Sequence, residues 1–209
     1  FENIHEKFPK FLSNVCKEYN VKQFIHLSAL GIEQAIDSLY AQSKLNGENF
    51  IRQNFKEANI LRPSVVYSVD DNFTTNFMTL LSWLPIFPLY YRGLTLFRPI
   101  HVSDLAEIIY QIIFQNIKST TVECVGTEEM SLKNILTRLL KLIGKKKLLI
   151  PMPLVVAKLS AYFFQLFPKP LLTLDQLKLL KYQNIPSGKY KTNFDIGIPS
   201  YANFDTEVE

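Results

Sequence analysis

Tyr40-Ala41-Gln42-Ser43-Lys44-Leu45-Asn46-Gly47-Glu48 is the stretch on which the reading of this chain turns. Read as helix, it puts Tyr40 and Lys44 on one face, one turn apart. A phenol ordinarily loses its proton near pH ~10, too high for acid–base work at neutrality. An ammonium held beside it favours the phenolate and lowers that value, so the spacing fits a proton-exchanging pair, while the same spacing also fits an ordinary solvated helix face. Gly47 marks a place where a second backbone can approach the helix closely.

Working outward, Phe24-Ile25-His26-Leu27-Ser28 reads as a short buried strand ending in a hydroxyl, with His26 on the face opposite Ile25 and Leu27. Ser38 is the expected N-cap of the Tyr40 helix, which runs to about Lys56, with Leu45, Phe50, Ile51 and Phe55 as its apolar contacts. Upstream, Phe8, Phe11, Leu12, Val15, Cys16 and Tyr19 recur at helical spacing. Pro9 fits the first turn of that helix and Asn20 ends it, before a strand from Val21 to Leu27. Helix then strand is the αβ unit of a doubly wound sheet.

Downstream, Asn59 to Tyr67 predicts the next strand, with Pro63 in its middle. An aromatic-rich helix is expected from Asp70 to Leu84, capped by Asn72 or Thr74, then a rigid connection at 84–88. Phe97 to Ala106 reads as strand into helix, with Asp104 as the cap and Glu107 closing a capping box. Thr121 to Val125 is a strand, Ser131 caps a helix to Ile143, and Gly144 stops it. An extended piece at 148–151 precedes helices at 153–167 and 173–182, and the glycines and prolines after Pro186 predict a loop-rich arm.

At 209 residues, 47% hydrophobic and 13% aromatic, the chain can bury a large core, which excludes disorder. A net charge of +4 does not argue for nucleic acid as a partner. Cys16 and Cys124 stand outside any C-x-x-C pattern and suit a reducing compartment. His5, His26 and His101 fall in separate segments without ligand spacing, so no metal site is predicted. No signal-like start and no membrane-spanning run is read, the apolar 153–167 stretch being too short.

A strand ending in Ser28, then Tyr40-x-x-x-Lys44-x-x-Gly47-Glu48, Arg62-Pro63-Ser64-Val65-Val66-Tyr67 and Val102-x-Asp104-x-Ala106 resembles the short-chain dehydrogenase/reductase superfamily. The match is to its extended and atypical branches, of NAD-dependent epimerase/dehydratase type. Asp70 to Pro99, with Asn72-Phe73, Asn76-Phe77 and Pro85-Ile86-Phe87-Pro88-Leu89, is similar to the dehydrogenase-like accessory subunits of respiratory complex I and their bacterial relatives.

The resemblance implies an α/β fold: the C-terminal part of a Rossmann-like doubly wound parallel sheet with a smaller, mostly helical C-terminal lobe. Residues 1–125 would form an incomplete NAD(P)-binding domain, with 70–98 contributing to the small lobe, and 126–209 would form a substrate or docking lobe. The cofactor implied is NAD or NADP, although no G-x-G-x-x-G or G-x-x-G-x-x-G occurs among the seven glycines. The phosphate loop and first strands are therefore expected in a preceding part of a longer protein. Tyr40 would exchange the proton, Lys44 would also contact the ribose, and Ser28 would position a carbonyl. Leu27, Ser28, Pro63, Ser64 and Val65 would line the nicotinamide. Two departures stand out: Ala29 replaces the second hydroxyl, and Ser68 replaces the glycine after Tyr67.

Two functions follow from the resemblance. One is a nucleotide-binding module with weak or no turnover, docked on a membrane-associated respiratory complex. The other is an NAD(P)-dependent oxidoreductase, epimerase or dehydratase acting on a nucleotide sugar or small carbonyl compound. The first would place the protein in the cytoplasm or mitochondrial matrix, peripheral on the inner membrane. Lys145-Lys146-Lys147 stand beside the apolar 148–167 stretch, which reads either as a core helix of the small lobe or as a docking face with a basic rim.

Overall fold

The computed structural model describes residues 1–153, 155, 156, 159 and 173–208. A π-helical turn, Asn3–Lys7, leads into helix α1, Phe8–Glu18. Asn20, at φ 52°, breaks the helix as expected. Strand β1 is shorter than its sequence suggests, Ile25–Leu27, and the segment before it is tied down by the Gln23 side-chain Nε2, which donates to the carbonyls of Ile112 and Ile117. Helix α2, Leu39–Asn54, begins on Ser38, whose hydroxyl accepts from Ala41 N.

β1 pairs in parallel with β2, Asn59–Pro63, placing His26 opposite Ile60 and Leu27 opposite Leu61. Ile25 packs against the Leu61 and Ile108 cluster, while Ile60 packs against Ile51 of α2, so neighbours on these strands face opposite ways. The stretch read as one strand is two. Beyond Pro63 the chain leaves the main sheet, and β3, Val66–Tyr67, pairs instead with β6, Ile100–His101. Pro63 is tolerated in a central strand because it closes it: its carbonyl accepts from Leu30 N and Ser64 N donates to Cys124 O.

Helix α3, Thr74–Trp83, starts later than expected, and neither Asn72 nor Thr74 caps it. The Asp71 carboxylate does so, accepting from the backbone NH groups of Phe73 and Thr74. The connection expected at 84–88 is largely strand β4, Ile86–Leu89, which pairs in parallel with β9, Leu148–Pro151. Between β4 and β9 along the chain come β5, Leu96–Phe97, and its antiparallel partner β8, Met130–Ser131, which pair as a separate two-stranded sheet. Helix α4, Val102–Phe114, covers the sheet face opposite α1 and α2.

Asp104 does not cap α4. The helix starts on His101, whose Nδ1 accepts from Ser103 N, and the Asp104 carboxylate accepts from Tyr201 N and Ala202 N of the C-terminal arm. Glu107 bonds Gln111, so no capping box forms. Strand β7, Thr121–Cys124, lies beside β2, and α5, Leu132–Leu142, is capped by Ser131 and stopped by Gly144 at φ 64°. Helix α6, Leu174–Leu179, carries a full Thr173/Gln176 capping box. The arm is not only loop: β10, Lys191–Thr192, adds a fourth parallel strand beside β7, giving the order β1-β2-β7-β10, and a final turn of helix, α7, spans Phe204–Glu207.

Most of the apolar helix read over 153–167 lies outside the described residues. Among the described residues no helix is long and apolar enough to cross a membrane. α1 rotates its apolar stripe partly outward: Pro9, Leu12, Ser13 and Cys16 face inward, while Phe8, Phe11 and Tyr19 are 56%, 63% and 74% exposed.

Candidate functional site

The segments named by the sequence meet where β1 and β2 end. Lys44, one turn into α2, donates its Nζ to the carbonyl of Leu27 at 3.1 Å, so it faces the C-terminal end of β1. Ser28 follows, 5% exposed, its backbone N–H donating to Leu61 O at 2.7 Å. Its hydroxyl and the Nε2 of His26 are buried polar atoms without a hydrogen-bond partner among the described residues. An orphaned buried hydroxyl beside a lysine suits a site that receives a polar group from a ligand.

Pro63, Ser64 and Val65 form the adjoining wall. Asn184 organises them: its Oδ1 accepts from Ser64 Oγ at 2.6 Å and from Val65 N at 3.1 Å. Its Nδ2 donates to Leu30 O at 3.0 Å, tying this turn to the loop that leaves Ser28. Leu27, Ser28, Lys44, Pro63 and Ser64 are thus linked by short backbone and side-chain bonds.

Tyr40 is placed differently. Its half-buried ring sits edge-on to His5, centroids 5.2 Å apart, and to Phe1 at 5.7 Å. Phe1 stacks on His5, and His5 Nδ1 lies 3.0 Å from Ser43 Oγ. The expectation that Lys44 lowers the Tyr40 phenol is not met. Burial pushes that phenol up, and burial likewise pushes the Lys44 ammonium down, with Glu48 opposing. Burial, then the Lys44 charge, holds His26 down at about 4, so this imidazole is neutral at pH 7.

α2 is fixed to the sheet by charge. Arg62, on β2, makes a two-pronged bond to Glu48 at 2.9 and 2.6 Å and a third to Glu33 at 3.0 Å. Burial works against the guanidinium, but the bonds to Glu48 raise it well beyond its usual range. Burial also pushes Glu33 up, yet bonds from Lys189, Tyr190 and Arg62 outweigh it and hold the carboxyl at about 2. At Gly47 the π-helical turn comes so close that a Cβ would lie 2.0 Å from His5 O, confirming the close approach read from the sequence.

Sequence reasoning missed His5, Asn184 and Asp175, the last accepting from the Leu39 and Tyr40 amides at the start of α2, because their partners lie far away in the chain. Glu48 carried a signal, standing one turn beyond Lys44 on the same helix face. Burial pushes the Cys124 thiol up to about 12 and leaves it inert. Among the described residues no three His, Cys, Asp or Glu side chains gather as a metal site.

A parallel sheet covered on both faces, with a Y-x-x-x-K helix set against the ends of its strands, defines a dehydrogenase-like α/β protein. Residues 34–165 match the RmlD substrate binding domain, and the chain belongs to that family, within the short-chain dehydrogenase/reductase superfamily whose resemblance the motifs carry. It is 25% identical over 201 residues to NADH dehydrogenase (ubiquinone) 1 alpha subcomplex subunit 9, mitochondrial, of Mus musculus, covering 95% of this chain and 53% of that protein. It is 22% identical over 208 residues to the mitochondrial NADH-ubiquinone oxidoreductase 40 kDa subunit of Neurospora crassa, covering 98% and 54%. The chain thus spans about half the length of these curated relatives.

Among solved structures, the UDP-glucuronic acid 4-epimerase of Bacillus cereus, in complex with UDP-glucuronic acid and NAD, superposes with a TM-score of 0.64 at 18% identity, covering 98% of this chain and 64% of that one. A dTDP-4-dehydrorhamnose reductase of Clostridium acetobutylicum gives 0.61 at 17%, covering 86% and 71%. These likenesses establish the Rossmann-like fold class.

Proposed function

We propose that this chain is part of a dinucleotide-binding protein that serves a membrane-associated respiratory NADH dehydrogenase as an accessory module with weak or no turnover. NAD or NADP would lie across the ends of β1 and β2, with Lys44 on its ribose and Leu27, Ser28, Pro63, Ser64 and Val65 around the nicotinamide. Residues 1–125, with 70–98 lent to the small lobe, would supply part of the nucleotide domain, and 126–209 the docking lobe. The phosphate loop would come from sequence outside these 209 residues, in keeping with relatives about twice as long. A matrix location, peripheral on the inner membrane, fits relatives that are mitochondrial.

The observation that carries this reading is the state of the Tyr40/Lys44 pair. The ammonium is engaged by the Leu27 carbonyl, the phenol is pushed up by burial, and Ala29 replaces a hydroxyl that would polarise a carbonyl. Binding groups are present while the acid–base step is poorly served. The unpartnered Ser28 hydroxyl favours a second reading, an oxidoreductase or epimerase acting on a nucleotide sugar.

Titrating the full-length protein with NADH and NADPH tests the proposal. Lys44→Ala should weaken binding about tenfold, roughly 1.4 kcal/mol, while Tyr40→Phe leaves affinity nearly unchanged. A full-length protein that binds neither nucleotide overturns the reading. Turnover of a nucleotide sugar that Tyr40→Phe abolishes would select the second reading instead.

A further inference from the structure

The start of α2 is held from outside itself. Ser38 supplies the ordinary cap, accepting from Ala41 N, yet the amides of Leu39 and Tyr40 are left over at such a terminus. Both are taken by one carboxylate from the far end of the chain. Asp175 Oδ1 accepts from Leu39 N at 2.8 Å and Oδ2 from Tyr40 N at 3.2 Å. The Ser38 hydroxyl also donates to Oδ2 at 2.8 Å, so the cap and the carboxylate form one unit.

The rest of the 173–184 stretch repeats the contact. Lys178 Nζ donates to Asp37 O at 2.8 Å, and Leu179 and Tyr182 pack against Ile32, Ala35 and Ala41. At its end Asn184 pins Ser64, Val65 and Leu30. One segment therefore touches both the helix that carries Tyr40 and Lys44 and the turn that faces them. Between its two ends lies the loop running from Ser28 to Ser38.

We infer that Asp175 is a positioning residue for Tyr40: by gripping the first turn of α2 it fixes where the phenol and, one turn on, the Lys44 ammonium stand relative to β1. This rests on the proposal that Tyr40 and Lys44 form the nucleotide site, and it adds the part of the fold that sets their geometry. The 173–184 strap then acts on the site without touching the ligand. A displacement of α6 would be passed to Tyr40 through three hydrogen bonds to one carboxylate.

The test uses the full-length protein with Asp175→Asn and Asp175→Ala. The readouts are amide hydrogen exchange at Leu39 and Tyr40, NADH affinity, and the ultraviolet titration of the Tyr40 phenol, isolated by subtracting Tyr40→Phe. In Asp175→Ala, exchange at both amides should rise about tenfold and NADH affinity should fall by a similar factor, the size of a lost helix cap. The phenol titration should move down towards its ordinary range as the ring gains water. Asp175→Asn keeps an acceptor for Leu39 but presents NH2 where Oδ2 stood, so it should expose mainly the Tyr40 amide and move the phenol less.

Either folded variant with a wild-type phenol titration overturns the inference, whatever happens to its melting temperature. Equal shifts in the two variants would mark a through-space charge effect, which also overturns it. If Asp175→Ala does not fold, Asp175→Asn decides alone, by whether both its Tyr40 amide exchange and its phenol titration move. The titration needs no ligand, so a wild-type protein that fails to bind NADH sinks the nucleotide proposal and leaves this inference to be judged by its own readout.

Discussion

α2 and α5 are both long helices set against a core, but opposite forces hold them. α5 places Leu132, Ile135, Leu136, Leu139 and Leu140 on one buried stripe, with the Ser131 cap and the half-exposed Arg138 pairs to Glu128 and Asp205 at its margins. α2 buries Ala41, Ser43, Gly47, Glu48 and Ile51, of which Ser43 and Glu48 are polar, and is held by Asp175, the Leu27 carbonyl and Arg62. Hydrophobic burial is non-directional and fixes a helix loosely about its axis. Hydrogen bonds and ion pairs fix direction, which a helix carrying Tyr40 and Lys44 would require to serve the proposed nucleotide site.

The contrast can be broken at Arg62. This guanidinium and Glu48 are 5% and 2% exposed, so Arg62→Ala strands a buried carboxylate and should destabilise by about 3–5 kcal/mol in a denaturant melt. Replacing both partners, as Arg62→Met with Glu48→Leu, should recover most of that loss, because the pair contributes little net beyond mutual need. No such rescue exists for α5: Leu136→Ala should lose about 2–5 kcal/mol through a cavity alone, with the same value at pH 5 and pH 7.

α2's surroundings should titrate. His26 is held below its ordinary 6.5, so its neutral form contributes stability fully present above pH 6.5 and lost as pH falls towards 4. Glu33 is depressed from 4.5 to about 2, so its contribution is present above pH 4.5 and lost below it. Melting temperature should therefore fall in two steps on acidification, and His26→Gln should flatten only the upper one. The smallest effect is expected outside both helices' contacts. Phe11→Ser on the exposed flank of α1 should change stability by no more than ~0.5 kcal/mol, and a larger loss would show that this flank is covered in the intact protein.

The same division explains what the sequence revealed. α5 was legible from cap to stop because period, Ser131 and Gly144 are local signals. Ser38 was legible for the same reason, and Gly47 was legible as a crossing point. Asp104 and Asp71 show the limit: each sits near a helix start, yet Asp104 is claimed by the C-terminal arm and only Asp71 caps its helix. The strand at Asn59 to Tyr67 split because Ser64 and Val65 are claimed by Asn184, a residue 119 positions from Val65. α1's stripe misled because a period states that a face is apolar, not which neighbour covers it. At the site, the residues that line the strand ends were legible from their motif, whereas the protonation behaviour of Tyr40 depended on His5, Phe1 and burial.

Gly47 is matched by a second crossing of the same kind. A Cβ on Gly126 would lie 1.9 Å from Pro99 O, as one on Gly47 would lie 2.0 Å from His5 O. Both obstacles are main-chain carbonyls, which cannot swing aside as a side chain does. Every glycine codon becomes a different residue, or a stop, on any change at its first or second base. The two codons are therefore intolerant of all missense variation: alanine is excluded as firmly as arginine, and chemical similarity between amino acids gives no guide to severity there. In a population or a mutational scan, these sites should appear as columns where only silent third-base changes survive.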